Sequence, residues 1–273
     1  MRSLTLVFLL ALSLVVRSDD SFPGDVSQWH GFKRHDFEFK GRKGIIVQPQ
    51  QAADQKPWIW RARFFGHEPQ LDLALLNRGF HLAYIDTVDL FGSPSAVGIW
   101  NSYYHFLVGE KGLHAKPILE GMSRGGLMIY NWAVQNPTRV SGIYADAPVL
   151  DFRSWPGGGR RFSHPGQQEA WTKLLNAYGF ESDQQALEYR GNPVDQIRPL
   201  IDQEVPLFHV CGEADQVVPY SDNTGRFKHR YQQLGGRWFQ EIVKPQGGHH
   251  PHSLPDPGPL VEFVLTCLKA PSP

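Results

Sequence analysis

Three separated stretches carry side chains whose types suit attack on a carbonyl carbon. The first is Gly121-Met122-Ser123-Arg124-Gly125, a G-x-S-x-G pattern. A serine hydroxyl is a poor nucleophile near neutral pH and needs a base to take its proton during attack. The third stretch, Gly247-Gly248-His249-His250-Pro251-His252, offers imidazoles. An imidazole must hold the right tautomer, which a carboxylate on its other nitrogen fixes. The second stretch, Gly212-Glu213-Ala214-Asp215, offers that carboxylate. Ser123, Asp215 and His249 are therefore the candidate catalytic set. His249 is preferred to His250 because it directly follows the two glycines, and His252 is placed behind the reacting groups. Asp146 and Asp151 are the rival acids.

The chemistry also needs donors for the charge that develops on the carbonyl oxygen. The backbone N–H of Arg124 is one by elbow geometry, and that of Phe65 is assigned as the other. Arg61 and Arg63 are candidate contacts for a substrate carboxylate, which arginine binds bidentately. Trp155 is a candidate platform for a sugar or aromatic acyl group. The histidine run has no carboxylate or cysteine at a spacing typical of zinc sites, so no metal and no cofactor is assigned.

These residues can meet only if the chain between them folds back regularly. Ile118 to Met122 is an apolar run that reads as a buried strand, and Leu127 to Val134 reads as a helix. A sharp turn between them makes the serine stretch a nucleophile elbow. Bulk beside Ser123 would collide there, which accounts for Gly121 and Gly125. Asp215 follows the strand ending at Cys211, and His249 follows the strand from Trp238 to Val243. Further strands are expected at His35 to Lys40, Gly44 to Gln48, Pro57 to Phe65, Phe80 to Ile85 and Val140 to Ala145. Phe22 to Gln28 reads as an exposed leader. Strands alternating with helices imply a mostly parallel sheet with helices on both faces. Between 146 and 199 the alternation breaks, and this segment is expected to form a short helical cap over one sheet edge.

Residues 1–18 have a basic start, an apolar core from Leu4 to Val16 and a polar exit, as a secretory signal does. A mature chain from Asp19, secreted or periplasmic and without stable membrane insertion, is expected. Lys plus Arg number 27 and Asp plus Glu number 27, so no net field draws the chain to nucleic acid. The two cysteines, Cys211 and Cys267, both lie in apolar segments and read as buried free thiols, with a single bridge between them as the alternative.

On Gly121 to Gly125, on Gly212-Glu213-Ala214-Asp215-Gln216-Val217-Val218-Pro219 and on Gly247-Gly248-His249, the chain resembles the α/β-hydrolase superfamily. The run Asn192-Pro193-Val194-Asp195 adds to the likeness, which extends from about Phe37 to Leu268. Secreted prolyl-oligopeptidase-like and carbohydrate-esterase-like members look nearest. The resemblance implies an α/β-hydrolase fold and a serine hydrolase working through an acyl-enzyme. The leading expectation is hydrolysis of a carboxylic ester, of a small molecule or a carbohydrate. A serine peptidase of prolyl-oligopeptidase type is the alternative, and a non-catalytic binding protein on the same fold is a third reading. Many members carry His-Gly where this chain has Arg63-Phe64-Phe65-Gly66.

Overall fold

Short apolar runs without polar alternation mark strands covered on both faces. The computed structural model, which describes residues 22–157 and 165–269, shows five such strands. They are β4 (Trp58–Arg61), β5 (His81–Ile85), β6 (Ile118–Met122), β7 (Gly142–Asp146) and β8 (Leu207–Gly212), every residue of which is buried. Among the described residues they belong to one nine-stranded sheet of order β1-β2-β3-β5-β4-β6-β7-β8-β9. The remaining strands are β1 (Asp25–Trp29), β2 (Phe32–Phe39), β3 (Arg42–Gln48) and β9 (Phe239–Lys244). Pairing from β5 through β4, β6, β7 and β8 to β9 is parallel, while β1, β2, β3 and β5 pair antiparallel.

β1 replaces the expected leader. Its residues are mostly exposed, so burial left no apolar signature. The usable signal was the turn: His30 and Gly31 both have positive φ, as do Lys40 and Gly41 in the next hairpin. Two such residues form the tight turn that matches strand twist. β4 is also shorter than expected, because the chain turns out of the sheet after Arg61 and Phe64 adopts a φ of 54°.

Helices α1 (Gln70–Leu76) and α8 (Gly258–Lys269) cover one face through Leu71, Leu75, Leu260 and Val264. On the other face, α2 (Pro94–His105), α3 (Gly125–Gln135) and α7 (Thr224–Gln233) contribute Trp100, Tyr103, Trp132, Phe227 and Tyr231. Trp60 stacks on Trp100 with ring centroids 3.8 Å apart. Offset aromatic pairs of this kind add to what burial alone contributes.

The segment between β7 and β8 carries α4 (Pro165–Tyr178), α5 (Asp183–Glu188) and α6 (Arg198–Asp202). It does not lie over a sheet edge, as expected. Phe152, Trp171 and Leu174 pack instead on Phe91 and Leu127, so the insertion sits on the helical layer beside the elbow. The physical reason is that Leu127 on α3 and Phe91 after β5 leave apolar surface there. Both cysteines are buried and unbridged. No helix among the described residues is long and apolar enough to cross a membrane. The segment 1–18, expected to be a secretory signal, lies outside the described residues.

Arg61 is not available to a substrate. Its side chain is 1% exposed and ion-pairs with Asp72 of α1 and with Glu120 of β6, the latter at 3.2 Å. An arginine on an inner strand of a covered sheet meets a helix rather than solvent. It also donates to the carbonyls of Arg63 and His67, which pins the turn beyond β4 to the sheet. Burial raises the Glu120 carboxyl well above the usual range despite Arg61 beside it. Removing the guanidinium therefore strands Asp72 as a buried acid with no cation. Arg61→Met is expected to lower unfolding free energy by about 3–5 kcal/mol, read by chemical denaturation. A change within about 1 kcal/mol would show that the cluster does not hold α1 to the sheet.

Candidate active site

Four consecutive parallel strands, β6 to β9, deliver the site from their carboxyl ends, where ligands gather in open α/β sheets. β6 ends at Met122 and α3 begins at Gly125. Between them Ser123 has a φ of 51°, the left-handed region that side chains avoid. The neighbourhood holds it there. Its N–H donates to the Asp146 carbonyl at 2.8 Å, and its own carbonyl accepts from Gly126 and Val149 at 2.9 Å each.

The glycine requirement differs from the one expected. A Cβ at Gly121 would lie 2.8 Å from the Gly125 carbonyl oxygen, and one at Gly126 would lie 2.6 Å from Pro148 Cβ. At Gly125 the nearest atoms, the Cβ atoms of Ala62 and Arg63, are at 3.6 Å, an ordinary contact. Sterics therefore demand glycine at 121 and 126, not at 125.

Asp215 stands on the turn after β8. Its Oδ1 accepts from the N–H groups of Val217 and Val218, both at 2.8 Å. Burial raises its carboxyl, but the hydrogen bonds from His249, Val218 and Val217 outweigh that and hold it below the ordinary value. It is therefore ionised at neutral pH. Gly212 lets the loops after β8 and β9 touch, since a Cβ there would lie 2.2 Å from the Gly248 carbonyl oxygen. Ala214 N–H then donates to the Gly247 carbonyl at 2.8 Å.

This contact sets His249 between the other two groups. Its Nδ1–H donates to Asp215 Oδ2 at 2.7 Å, and its Nε2 is 3.0 Å from Ser123 Oγ. With Nδ1 as donor to a carboxylate, Nε2 is left to accept the serine proton. Ser123 is 7% exposed and Asp215 6%, so the row is screened from bulk water.

The rival acids are occupied elsewhere. Asp151 pairs with Arg153 and Arg226, at 2.7 and 2.8 Å. Asp146 accepts from His252 Nδ1 at 2.5 Å, from Ser253 N–H at 2.8 Å and from the Tyr144 hydroxyl at 3.1 Å. His250 is exposed, and its ring packs edge-on against those of His249 and His252. Partial burial and the adjacent His252, His249 and His67 lower its pKa.

The N–H groups of Arg124 and Phe65 have no acceptor among the described residues. The Phe65 ring itself packs on Trp29 and Tyr84. Arg63 lies at the β4 exit against the elbow. Its Nε and Nη1 are buried with no hydrogen-bond partner among the described residues, and its guanidinium sits 4.3 Å from the Phe64 ring centroid. Burial lowers its pKa to about 10, against the pull of nearby Tyr84, Asp89 and Asp86, so it stays charged at neutral pH. Trp155 comes to the same region: the Arg124 guanidinium is 5.8 Å from its ring and 5.4 Å from that of Phe91. Trp155 and Arg63 thus reach the surroundings of the elbow, whereas Arg61 is buried beneath it, its Nη2 3.2 Å from Met122 Sδ.

The profile of the prolyl oligopeptidase family matches residues 114–259, more than half of the chain. The architecture is an α/β-hydrolase fold. On that match the chain belongs to the prolyl oligopeptidase family. No curated protein matches its sequence. A solved puromycin-hydrolyzing peptidase of Mycobacterium tuberculosis is similar in fold, with a TM-score of 0.62 and 13% identity over 82% of this chain and 36% of that one. An acylaminoacyl peptidase in complex with Z-Gly-Gly-Phe-chloromethyl ketone gives a TM-score of 0.58 and 17% identity, over 80% of this chain and 38% of that one. The chain thus spans little more than a third of the length of either.

One functional feature was not assigned from the sequence. Asp146 binds the elbow through its carbonyl and the histidine loop through its carboxylate, making it a positioning residue. No spacing rule links Asp146 to His252; the parallel pairing of β7 with β8 and of β8 with β9 brings their loops to one rim. His252→Gln and Asp146→Asn are expected to lower kcat on a simple ester by about tenfold to a hundredfold with little change in KM. Steady-state kinetics beside circular dichroism test this. A loss that only tracks the unfolded fraction would contradict a positioning role.

Proposed function

We propose that this protein is a serine hydrolase that cleaves carboxylic esters through an acyl-enzyme on Ser123. The observation that carries the reading is the unbroken row Asp215–His249–Ser123 at 2.7 and 3.0 Å. In the proposed reaction Ser123 Oγ bonds to the carbonyl carbon while its proton passes to His249 Nε2. The carbonyl oxygen becomes an oxyanion facing the N–H groups of Arg124 and Phe65. The tetrahedral adduct collapses, the carbon–oxygen bond to the alcohol breaks, and His249 returns the proton to the leaving oxygen. Water then repeats the sequence on the acyl-enzyme and frees Ser123. Asp215 keeps Nδ1 protonated throughout.

The surroundings support a substrate with an anionic group. Arg63 presents buried N–H donors that no acceptor among the described residues satisfies, and an unmet buried donor is costly. A substrate carboxylate would meet it in bidentate fashion. Trp155, beside Arg124, offers a face for a sugar or aromatic acyl group. A carbohydrate ester fits both, and export through the 1–18 segment would suit such a substrate. The second reading is hydrolysis of a peptide bond. It is favoured by the family itself and by the peptidases of similar fold.

Hydrolysis of acetyl, methyl and feruloyl esters, with and without a second free carboxylate, beside proline-containing amides tests the proposal. Esters carrying the carboxylate are expected to give the highest kcat/KM, and Ser123→Ala is expected to lose about four to six orders of magnitude in kcat. Turnover of amides above all esters would favour the peptidase reading. Ester turnover unchanged in Ser123→Ala would end both.

A further inference from the structure

Around His249 stand further imidazoles that exchange no proton with the substrate in hydrolysis. One ring nitrogen from each of His249, His250 and His252 lies within 4.8 Å of the other two. Their ring centroids are 4.7 to 5.0 Å apart. A fourth imidazole arrives from a distant part of the chain. His67, on the turn after β4, has its ring 5.9 Å from that of His252 and 6.2 Å from that of His250. The turn is held in place, because Arg61 donates to the His67 carbonyl and His67 N–H donates to the Phe64 carbonyl at 2.9 Å. Along the chain, no carboxylate or cysteine stands beside the histidine run at a spacing suited to zinc. The fold supplies His67 instead.

We propose that His67, His249, His250 and His252 form a site for a divalent transition-metal ion of the zinc type, and that its occupation switches the hydrolase off. Imidazole nitrogens suit zinc, copper and nickel, and no carboxylate oxygen among these four would favour magnesium or calcium. Histidines that bind such ions nearly always donate their other ring nitrogen to a carboxylate or carbonyl. Two of these already do. His252 Nδ1 is bound to Asp146 and His249 Nδ1 to Asp215, which leaves Nε2 of each for an ion. A tetrahedral zinc with bonds of about 2.0–2.1 Å sets its ligand nitrogens roughly 3.4 Å apart. Among His249, His250 and His252 the present spread needs a closure of about 1.4 Å, to which the exposed His250 can contribute by side-chain rotation, and His67 must turn inward from its ring distances of 5.9 and 6.2 Å.

The consequence for catalysis follows from a shared lone pair. Nε2 of His249 either accepts the Ser123 proton or binds the ion, and it cannot do both. The ion is thus an inhibitor and not a participant in hydrolysis. Binding stands on the geometry alone. Inhibition rests on the hydrolase reading of the same site.

Zinc chloride titrated calorimetrically into the full chain, cobalt(II) absorption and ester hydrolysis together test this. One ion per chain, the visible band of tetrahedral cobalt and inhibition reversed by EDTA are expected. His250→Gln and His67→Gln are expected to keep ester turnover yet need about tenfold or more zinc for half-inhibition, with binding weakened alike. His105→Gln, at an exposed histidine on α2, is expected to change neither. Ser123→Ala is expected to bind zinc at least as well as the parent. If it does while the parent hydrolyses nothing, the metal site stands and the hydrolase reading falls. No saturable uptake, or equal binding and inhibition in the parent, His250→Gln and His67→Gln, would overturn the proposal.

Discussion

Asp146 is where the two halves of the site are tied together. Its backbone carbonyl takes the Ser123 N–H, and its carboxylate takes His252 and the Ser253 N–H, all within 2.8 Å. A buried carboxylate is costly unless its oxygens are met by donors, and here three donors meet it, the Tyr144 hydroxyl being the third. The same bonds that make the burial tolerable fix the histidine loop relative to the elbow. Ser123 can therefore keep a strained backbone and still face His249 at hydrogen-bond distance. A second link, from Ala214 to Gly247, joins the acid turn to the histidine loop. The row of three depends on both.

The sheet explains why these loops are neighbours. Strands β6, β7, β8 and β9 run side by side and parallel, so their exits lie on one rim in the order elbow, Asp146, Asp215, His249. β6, β7 and β8 are short, mostly apolar and buried throughout, and this composition made the inner sheet legible in the sequence. The elbow could be read because strand, glycine-flanked serine and helix follow within a few residues. Asp215 and His249 could be placed after strands for the same reason. Their hydrogen bonding could not, since it depends on strand register and on the Gly212 approach to Gly248.

What the sequence concealed has two physical sources. Exposed elements leave no burial pattern, which is why β1 read as a leader although His30-Gly31 marked its turn. Contacts between distant segments leave no spacing, which is why Arg61 read as a substrate contact. Strand alternation was extended past Arg61, but the strand ends there, and Arg61 turns toward Asp72 on α1. Arg63, just outside the sheet, remains beside the elbow with donors that no acceptor among the described residues meets. The insertion was misplaced for a related reason. Its apolar residues were countable in the sequence, but their partners, Phe91 and Leu127, belong to other elements. His67 joins the histidine cluster through the same kind of distant contact, anchored by the arginine that had been given another role.

Family membership and fold set the frame within which the site is read. The matched region, residues 114–259, takes in Ser123, Asp215, His249 and Asp146. Arg63 and Phe65 lie ahead of it, where the chain departs from the His-Gly of many relatives. All of this chemistry requires that His249 activate Ser123. Labelling of the intact protein with a fluorophosphonate, followed by peptide mass spectrometry, tests it most directly. A single adduct on Ser123, lost in His249→Ala with the fold retained, is the predicted result. No adduct, an adduct on another residue, or undiminished labelling of His249→Ala would contradict it.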